Sequence, residues 1–177
     1  QAIARAVAEL IPVNQTVLLN GGTTCREVAS VLKGKRLSVV TNSVPIAAIL
    51  WADLVTEVTL IGGYVYPRTG VALGPMAVGQ LETLNATQLI LSCAGLTEDG
   101  AFNANQMMVE VERKMMDVAD EVILAVDHTK LGMRSVAKLC DLAEADVIVT
   151  DSGADDAARA WLDGRARRVI YAGDGEP

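Results

Sequence analysis

The sequence predicts an α/β domain, a largely parallel sheet flanked by helices, with a small inserted or edge segment around residues 64–75. Three observations carry this expectation. Short aliphatic runs such as Thr16-Val-Leu-Leu and Val122-Ile-Leu-Ala-Val do not alternate with polar residues, as expected of strands covered on both faces. The runs take turns with helical stretches, which is the βα rhythm. The length of 177 residues, 51% of them hydrophobic and 21% charged, suits one domain with a core of its own.

The elements follow in order. Gln1 to Ile11 reads as a helix already running at the first residue, so further chain is expected ahead of it. The strand Thr16-Val-Leu-Leu ends at Asn20-Gly-Gly-Thr-Thr, and a helix follows over Arg26 to Leu32. Leu37-Ser-Val-Val is a second strand, ending at Thr41-Asn-Ser before a helix from Pro45 to about Ala52. Glu57-Val-Thr-Leu-Ile runs into Gly62-Gly63. The glycine- and proline-rich stretch Pro67–Pro75 then interrupts the rhythm and reads as an insertion or edge hairpin. A short helix near Met76–Leu84, the strand Gln88-Leu-Ile-Leu-Ser-Cys and a loop Ala94–Gln106 come next. Met107–Ala119 is helical, with Val109, Met116 and Ala119 on one side at helical spacing. The strands Val122–Val126 and Val147–Thr150, a helix Ala154–Leu162 and a final run Arg168-Val-Ile-Tyr complete the chain.

Composition excludes several functions. Fifteen basic against 22 acidic residues give a net charge of −7, which repels nucleic-acid phosphates, and 3% aromatics offer no stacking platform. Cys25, Cys93 and Cys140 lie far apart beside a single histidine, His128, which excludes a zinc site and a disulfide framework and suits a reducing cytoplasm. No apolar run approaches the roughly 18 residues of a membrane span, and no signal peptide opens the chain, so a cytoplasmic protein without membrane contact is expected. The glycine turns carry neither a Walker ending nor a full G-x-G-x-x-G, and no cofactor is implied. The methionines read as core filler, and the basic cluster at Arg165–Arg168 as a solvated turn.

The strand ends carry the chemistry. Ligands of open α/β sheets bind where strands hand over to loops at their carboxyl ends. Asn20-Gly21-Gly22-Thr23-Thr24 offers free backbone N–H groups and hydroxyls to an anion, although a tight turn with a Thr24 helix cap explains it equally. Thr41-Asn42-Ser43 and Gly62-Gly63 repeat the pattern on the same edge, where each can also be a cap or a turn. Asp127 and Lys130 close the strand Val122–Val126, a costly place for charge without a partner. His128, between them, is adjacent to such a pocket at best.

Taken in order, Asn20-Gly-Gly-Thr-Thr, Thr41-Asn-Ser, Gly62-Gly, Leu73-Gly, the loop from Gly95 to Gly100, Glu112-Arg-Lys-Met-Met and Asp127-His-Thr-Lys-Leu-Gly resemble the effector domain of DeoR-type bacterial transcription regulators, over about Ile3 to Ala172. That resemblance implies a Rossmann-like fold shared with ribose-5-phosphate isomerase and a phosphorylated sugar as ligand. It implies a homo-oligomer, and operator DNA bound through an N-terminal winged helix-turn-helix outside this chain. Residues 1–11 would then be the connecting helix and 12–177 the sensing domain. The Gly-Thr-Thr loop would take the phosphate, with Thr41-Asn42-Ser43, Gly62, Gly63, Gly95, Asp127 and Lys130 around the sugar. Closing of Asp127–Gly132 over the ligand would carry occupancy to the connecting helix.

Two departures stand out. Asn20 replaces an aspartate common in the family, and the isomerase's acidic strand end appears here as Ser92-Cys-Ala-Gly. Aligned back from Asp127, the isomerase's helix glutamate falls at Arg113, which leaves a phosphate cradle without a catalytic base. The competing readings are a phosphosugar isomerase using Glu98, Asp99 or Glu112, and a nucleotide-binding domain, against which the missing glycine fingerprint argues.

Overall fold

The structure, a computed structural model, describes residues 1–173. Its helices are α1 (Ala2–Glu9), α2 (Thr23–Leu32), α3 (Val44–Leu50), α4 (Pro75–Leu81), α5 (Gln106–Asp117) and α6 (Asp156–Arg165). The strands are β1 (Thr16–Leu19), β2 (Ser38–Thr41), β3 (Glu57–Leu60), β4 (Tyr64–Tyr66), β5 (Val71–Leu73), β6 (Ala86–Leu91), β7 (Gly95–Thr97), β8 (Gly100–Asn103), β9 (Ala119–Ala125), β10 (Ala137–Cys140), β11 (Val147–Asp151) and β12 (Val169–Ala172).

Seven strands form one sheet in the order β12-β11-β9-β6-β1-β2-β3, with every pairing parallel. The absence of polar alternation now has its cause. Val17 and Leu19 of β1, Ile90 of β6 and Ile123 of β9 feed one apolar cluster with α1, α2 and α3. Leu18, Leu89, Leu91, Val122 and Leu124 point the other way, into a cluster with α4 and α5. Each of the central strands β1, β6 and β9 thus serves two cores, and neither of its faces can be polar. α1 belongs to the first core, where Ile3, Ala4 and Val7 are buried.

The chain leaves β1 toward β2 and β3, then crosses back to lay β6 on β1's other side. That reversal separates the chain connections at the carboxyl ends of β1 and β6 and opens a crevice between them. The segment expected near 64–75 is the antiparallel hairpin β4–β5. It is docked on the strand-end loop after β2 by the Ala72 N–H to the Asn42 carbonyl at 2.7 Å and the Val44 N–H to the Gly70 carbonyl at 2.9 Å.

Some expectations are corrected. The stretch expected as a loop from Ala94 to Gln106 contains β7 and β8, which with β10 make a second, antiparallel sheet. β7 and β8 are three and four residues long and each begins with glycine, so they carry no apolar run. α2 starts at Thr23 rather than Arg26, because the glycine turn opens directly into the helix. α4 stops at Leu81, and α6 starts at Asp156, after the Asp155 cap.

Candidate functional site

The crevice holds a cavity of about 360 Å³. β1 supplies its first wall. Gly22 is the N-cap of α2 with φ 114° and ψ 165°, a conformation nearly restricted to glycine, and no side chain caps the helix. The first backbone N–H groups of α2 therefore remain available, with the positive end of the helix dipole behind them. Gly21, Gly22 and Thr23 line the cavity. Across the switch point, β6 delivers Ser92, Cys93 and Ala94. Lys130 enters from a short 3-10 turn after β9, and Tyr66 and Arg68 enter from the β4–β5 hairpin.

Below the cradle lies Glu112 of α5, 1% exposed. Asn20 Nδ2 donates to its Oε1 at 3.0 Å, and Asn103 Nδ2 donates to both oxygens at 2.7 Å. Both amides are oriented from behind. The Gly21 N–H donates to Asn20 Oδ1 at 2.6 Å, and the Ala94 N–H donates to Asn103 Oδ1 at 2.8 Å. Burial pushes the Glu112 carboxyl up to about 7, against the opposing hydrogen bonds from Asn103 and Asn20.

This corrects the expectation that the pocket lacks a carboxylate. Arg113, where the isomerase's glutamate was aligned, turns outward and pairs with Glu144 at 2.5 Å. One residue along a helix is about 100°, so a register error of one exchanges cavity for surface.

The structure brings Asn20, Gly21, Gly22, Thr23 and Lys130 together around the cavity. The other sequence candidates are engaged elsewhere. Thr24 is buried in the first turn of α2 and is not its cap. Thr41 Oγ1 donates to the Leu19 carbonyl at 2.6 Å and accepts from the Ser43 N–H at 3.1 Å. Asn42 Nδ2 donates to the Ala72 carbonyl at 3.1 Å, and Ser43 caps α3 by accepting from the Ile46 N–H at 3.4 Å. The Gly62 N–H donates to Gln80 Oε1 at 3.1 Å, and Gly63 lies against the Leu73 carbonyl. Gly95 is a packing glycine, since a Cβ there would collide with the Met133 carbonyl. Asp127 pairs with Lys130 at 3.5 Å without reaching the cavity wall. Burial acts to raise the Asp127 carboxyl, but the Thr129 hydroxyl and Lys130 outweigh it and hold it below the usual range.

His128 faces away, with Nδ1 2.6 Å from Asp151 Oδ1. The Lys130 turn is pinned by the Gly132 N–H to the Leu96 carbonyl at 2.8 Å, so the closing movement expected of Asp127–Gly132 would have to break a backbone bond to β7. The methionines divide, with Met115 in the core and Met108 on the cavity wall. Asn103, Ser92 and Arg68 were not among the sequence candidates for the ligand site, and Glu112 was offered only as an alternative base for the isomerase reading. Glu112 carried a usable signal, because Val109 and Met116 mark the inward face of α5 and position 112 falls between them at helical spacing. Among the described residues, no cluster of His, Cys, Asp or Glu is placed to hold a metal ion, and no helix is long and apolar enough to cross a membrane.

The family model for the DeoR C-terminal sensor domain matches residues 1–152. The chain belongs to that family. Among curated members' relatives, HTH-type transcriptional repressor CsqR of Escherichia coli is 32% identical over 85% of this chain and 59% of its own length. HTH-type transcriptional regulator GlpR of Haloferax volcanii is 33% identical over 96% of this chain and 67% of its own length. The DeoR-type chain described here thus spans about three fifths to two thirds of the relatives it matches. Ribose 5-phosphate isomerase A of Methanocaldococcus jannaschii shares the fold, with a TM-score of 0.53 and 12% identity over 73% of this chain and 52% of that one.

Proposed function

We propose that this chain is the sugar-phosphate sensor of a DeoR-type transcription regulator acting in the cytoplasm, and that it binds its effector without turning it over. The observation that carries the reading is the uncapped start of α2, with Gly21, Gly22 and Thr23 facing Lys130 across one cavity. Amide donors at a helix start together with an ammonium suit a phosphate monoester. The Asn20, Glu112 and Asn103 side chains behind them suit sugar hydroxyls. Operator DNA would be contacted by an N-terminal helix-turn-helix segment like that named for the relatives, with α1 leading to it, since the acidic chain itself is a poor partner for DNA. A homo-oligomer would let occupancy alter the spacing of paired DNA-binding segments.

The test is a thermal-shift screen of this chain against sugar phosphates. A ligand at about 100 times its Kd should stabilise the fold by about 2.7 kcal/mol. In the full-length regulator, the same compound should change operator affinity, and a screen with no stabilising sugar phosphate would end the reading.

One observation favours a second reading. Glu112 is a buried carboxyl lining the same cavity, with a pKa raised to about 7 that suits moving a proton near neutral pH. Its three amide hydrogen bonds and the absence of an acidic strand end argue for holding rather than shuttling. An aldose–ketose phosphate assay separates the two, with turnover above background supporting the isomerase.

A further inference from the structure

Two polar groups in the cavity have unused hydrogen-bonding capacity. An ionised carboxylate offers about four acceptor positions. Glu112 Oε1 uses two, for Asn20 and Asn103, while Oε2 uses one, for Asn103. No lysine or arginine among the described residues pairs with Glu112, and the cavity's Lys130 is paired with Asp127 instead. A buried carboxylate without a cation is costly to keep, so its spare acceptor is a place where a donor would be gained. The second group is Ser92. It is 5% exposed, it lines the cavity, and its Oγ has no hydrogen-bond partner among the described residues. Buried hydroxyls are almost always partnered. Ser92 sits next to the cradle, with its Cβ 3.7 Å from where a Cβ on Gly22 would lie.

The rest of the wall fixes the sign of what fits. The positive groups of the cavity are the α2 amides, Lys130 and the exposed Arg68, and no hydrogen bond or ion pair joins any of them to Glu112 among the described residues. Behind Asn20 lies the Glu112 carboxylate. The Asn20 and Asn103 amides cannot turn their oxygens or nitrogens round to suit a different ligand, because each Oδ1 already accepts a backbone N–H.

We infer that Glu112 and Ser92 form a second recognition point that accepts hydrogen-bond donors and refuses a second anionic group. The cavity then takes monophosphates whose remaining groups are hydroxyls or an amine, and discriminates against phosphorylated sugar acids and bisphosphates. This rests on the sugar-phosphate reading above and narrows it to one class. An anion brought against a buried carboxylate is repelled, and a tenfold loss of affinity corresponds to about 1.4 kcal/mol.

The experiment is calorimetric titration of this chain, at about pH 8, where Glu112 is ionised. The probes are ribose-5-phosphate, glucose-6-phosphate and glucosamine-6-phosphate, against 6-phosphogluconate and fructose-1,6-bisphosphate. The tightest monophosphate should bind at least about tenfold more tightly than either doubly acidic probe. Glu112→Gln should bring that ratio close to one. Ser92→Ala should weaken the monophosphate by about twofold to tenfold. It should not lower the melting temperature of the free protein, since the hydroxyl it removes has no partner among the described residues. Equal wild-type affinity for both classes overturns the inference while leaving the sensor reading in place, as does a ratio that a folded Glu112→Gln keeps. Should Glu112→Gln fail to fold, the wild-type ratio and Ser92→Ala decide alone. A Ser92→Ala protein that binds as the parent does removes Ser92 from the site. Binding by none of the five probes overturns the sugar-phosphate reading and this inference with it.

Discussion

The ends of β1 and β2 are nearly the same sentence in sequence, small polar residues between a buried parallel strand and a helix, yet they do different work. After β2, all three side chains are bonded within the fold, although Asn42 Oδ1 has no partner among the described residues. Thr41 bonds in both directions, Asn42 holds the hairpin and Ser43 caps α3. After β1, the cap is a glycine and the helix start is left open, while Asn20 is tied to a carboxylate on the opposite layer. The difference is one of position. β1 borders the reversal in strand order, and β2 has β1 and β3 on its flanks. Composition proposes a binding loop, but topology and the number of unspent donors decide whether it is one.

Acidity should separate the two ends most widely, since only β1 is wired to a titrating group. Glu112 keeps its proton in the folded state up to about 7, whereas an unfolded glutamic acid loses it near its ordinary 4.5. The unfolded chain is therefore the first to release the proton as pH rises. Stability conferred below pH 4.5 is lost between 4.5 and 7, by roughly 3 kcal/mol in all. The melting temperature of Glu112→Gln relative to wild type should climb across that window and level off above it. A flat difference would mean that Glu112 is already ionised at acid pH.

Charge at the cavity comes next. Lys130→Ala should cost roughly 1.5–3 kcal/mol in affinity for the effector found by the screen, while thermal stability hardly changes. Its ion pair with Asp127 is partly exposed and contributes little. Wild-type affinity in that variant would return Lys130 to the surface lysines. Gly22→Ser would give β1 the kind of cap β2 has. Because the backbone there is at φ 114°, about 1–3 kcal/mol of stability should be lost instead of gained. The mildest effect belongs to Ser43→Ala, about 1 kcal/mol in urea denaturation with effector binding intact. Weakened binding would show that the end of β2 does reach the ligand.

Much of this fold was legible because it is written in local apolar runs. Gln88-Leu-Ile-Leu and Val122-Ile-Leu-Ala-Val could hardly be anything but central strands, and the β1 turn was legible through its glycines. Asn103 was hidden, since it ends a four-residue strand with no periodicity of its own. Glu112 was obscured by Glu110, Arg113 and Lys114 around it in sequence. Only the register of α5 distinguishes the one charge that faces inward. Thr41, Asn42 and Ser43 erred in the other direction, because a cap and a ligand donor are the same residues until their partners are known.

The two asparagines behind the cradle have a thermodynamic consequence. Each is gripped at both ends, by a backbone N–H at its oxygen and by Glu112 at its nitrogen. The floor of the cavity is thus frozen before a ligand arrives, and binding there loses little rotamer freedom. Arg68 on the exposed hairpin is in the opposite state. Immobilising a side chain of that kind costs about 0.5–1.5 kcal/mol. The entropy lost on association should therefore come from the hairpin side, and calorimetry on Arg68→Ala would show a less unfavourable entropy together with a smaller enthalpy.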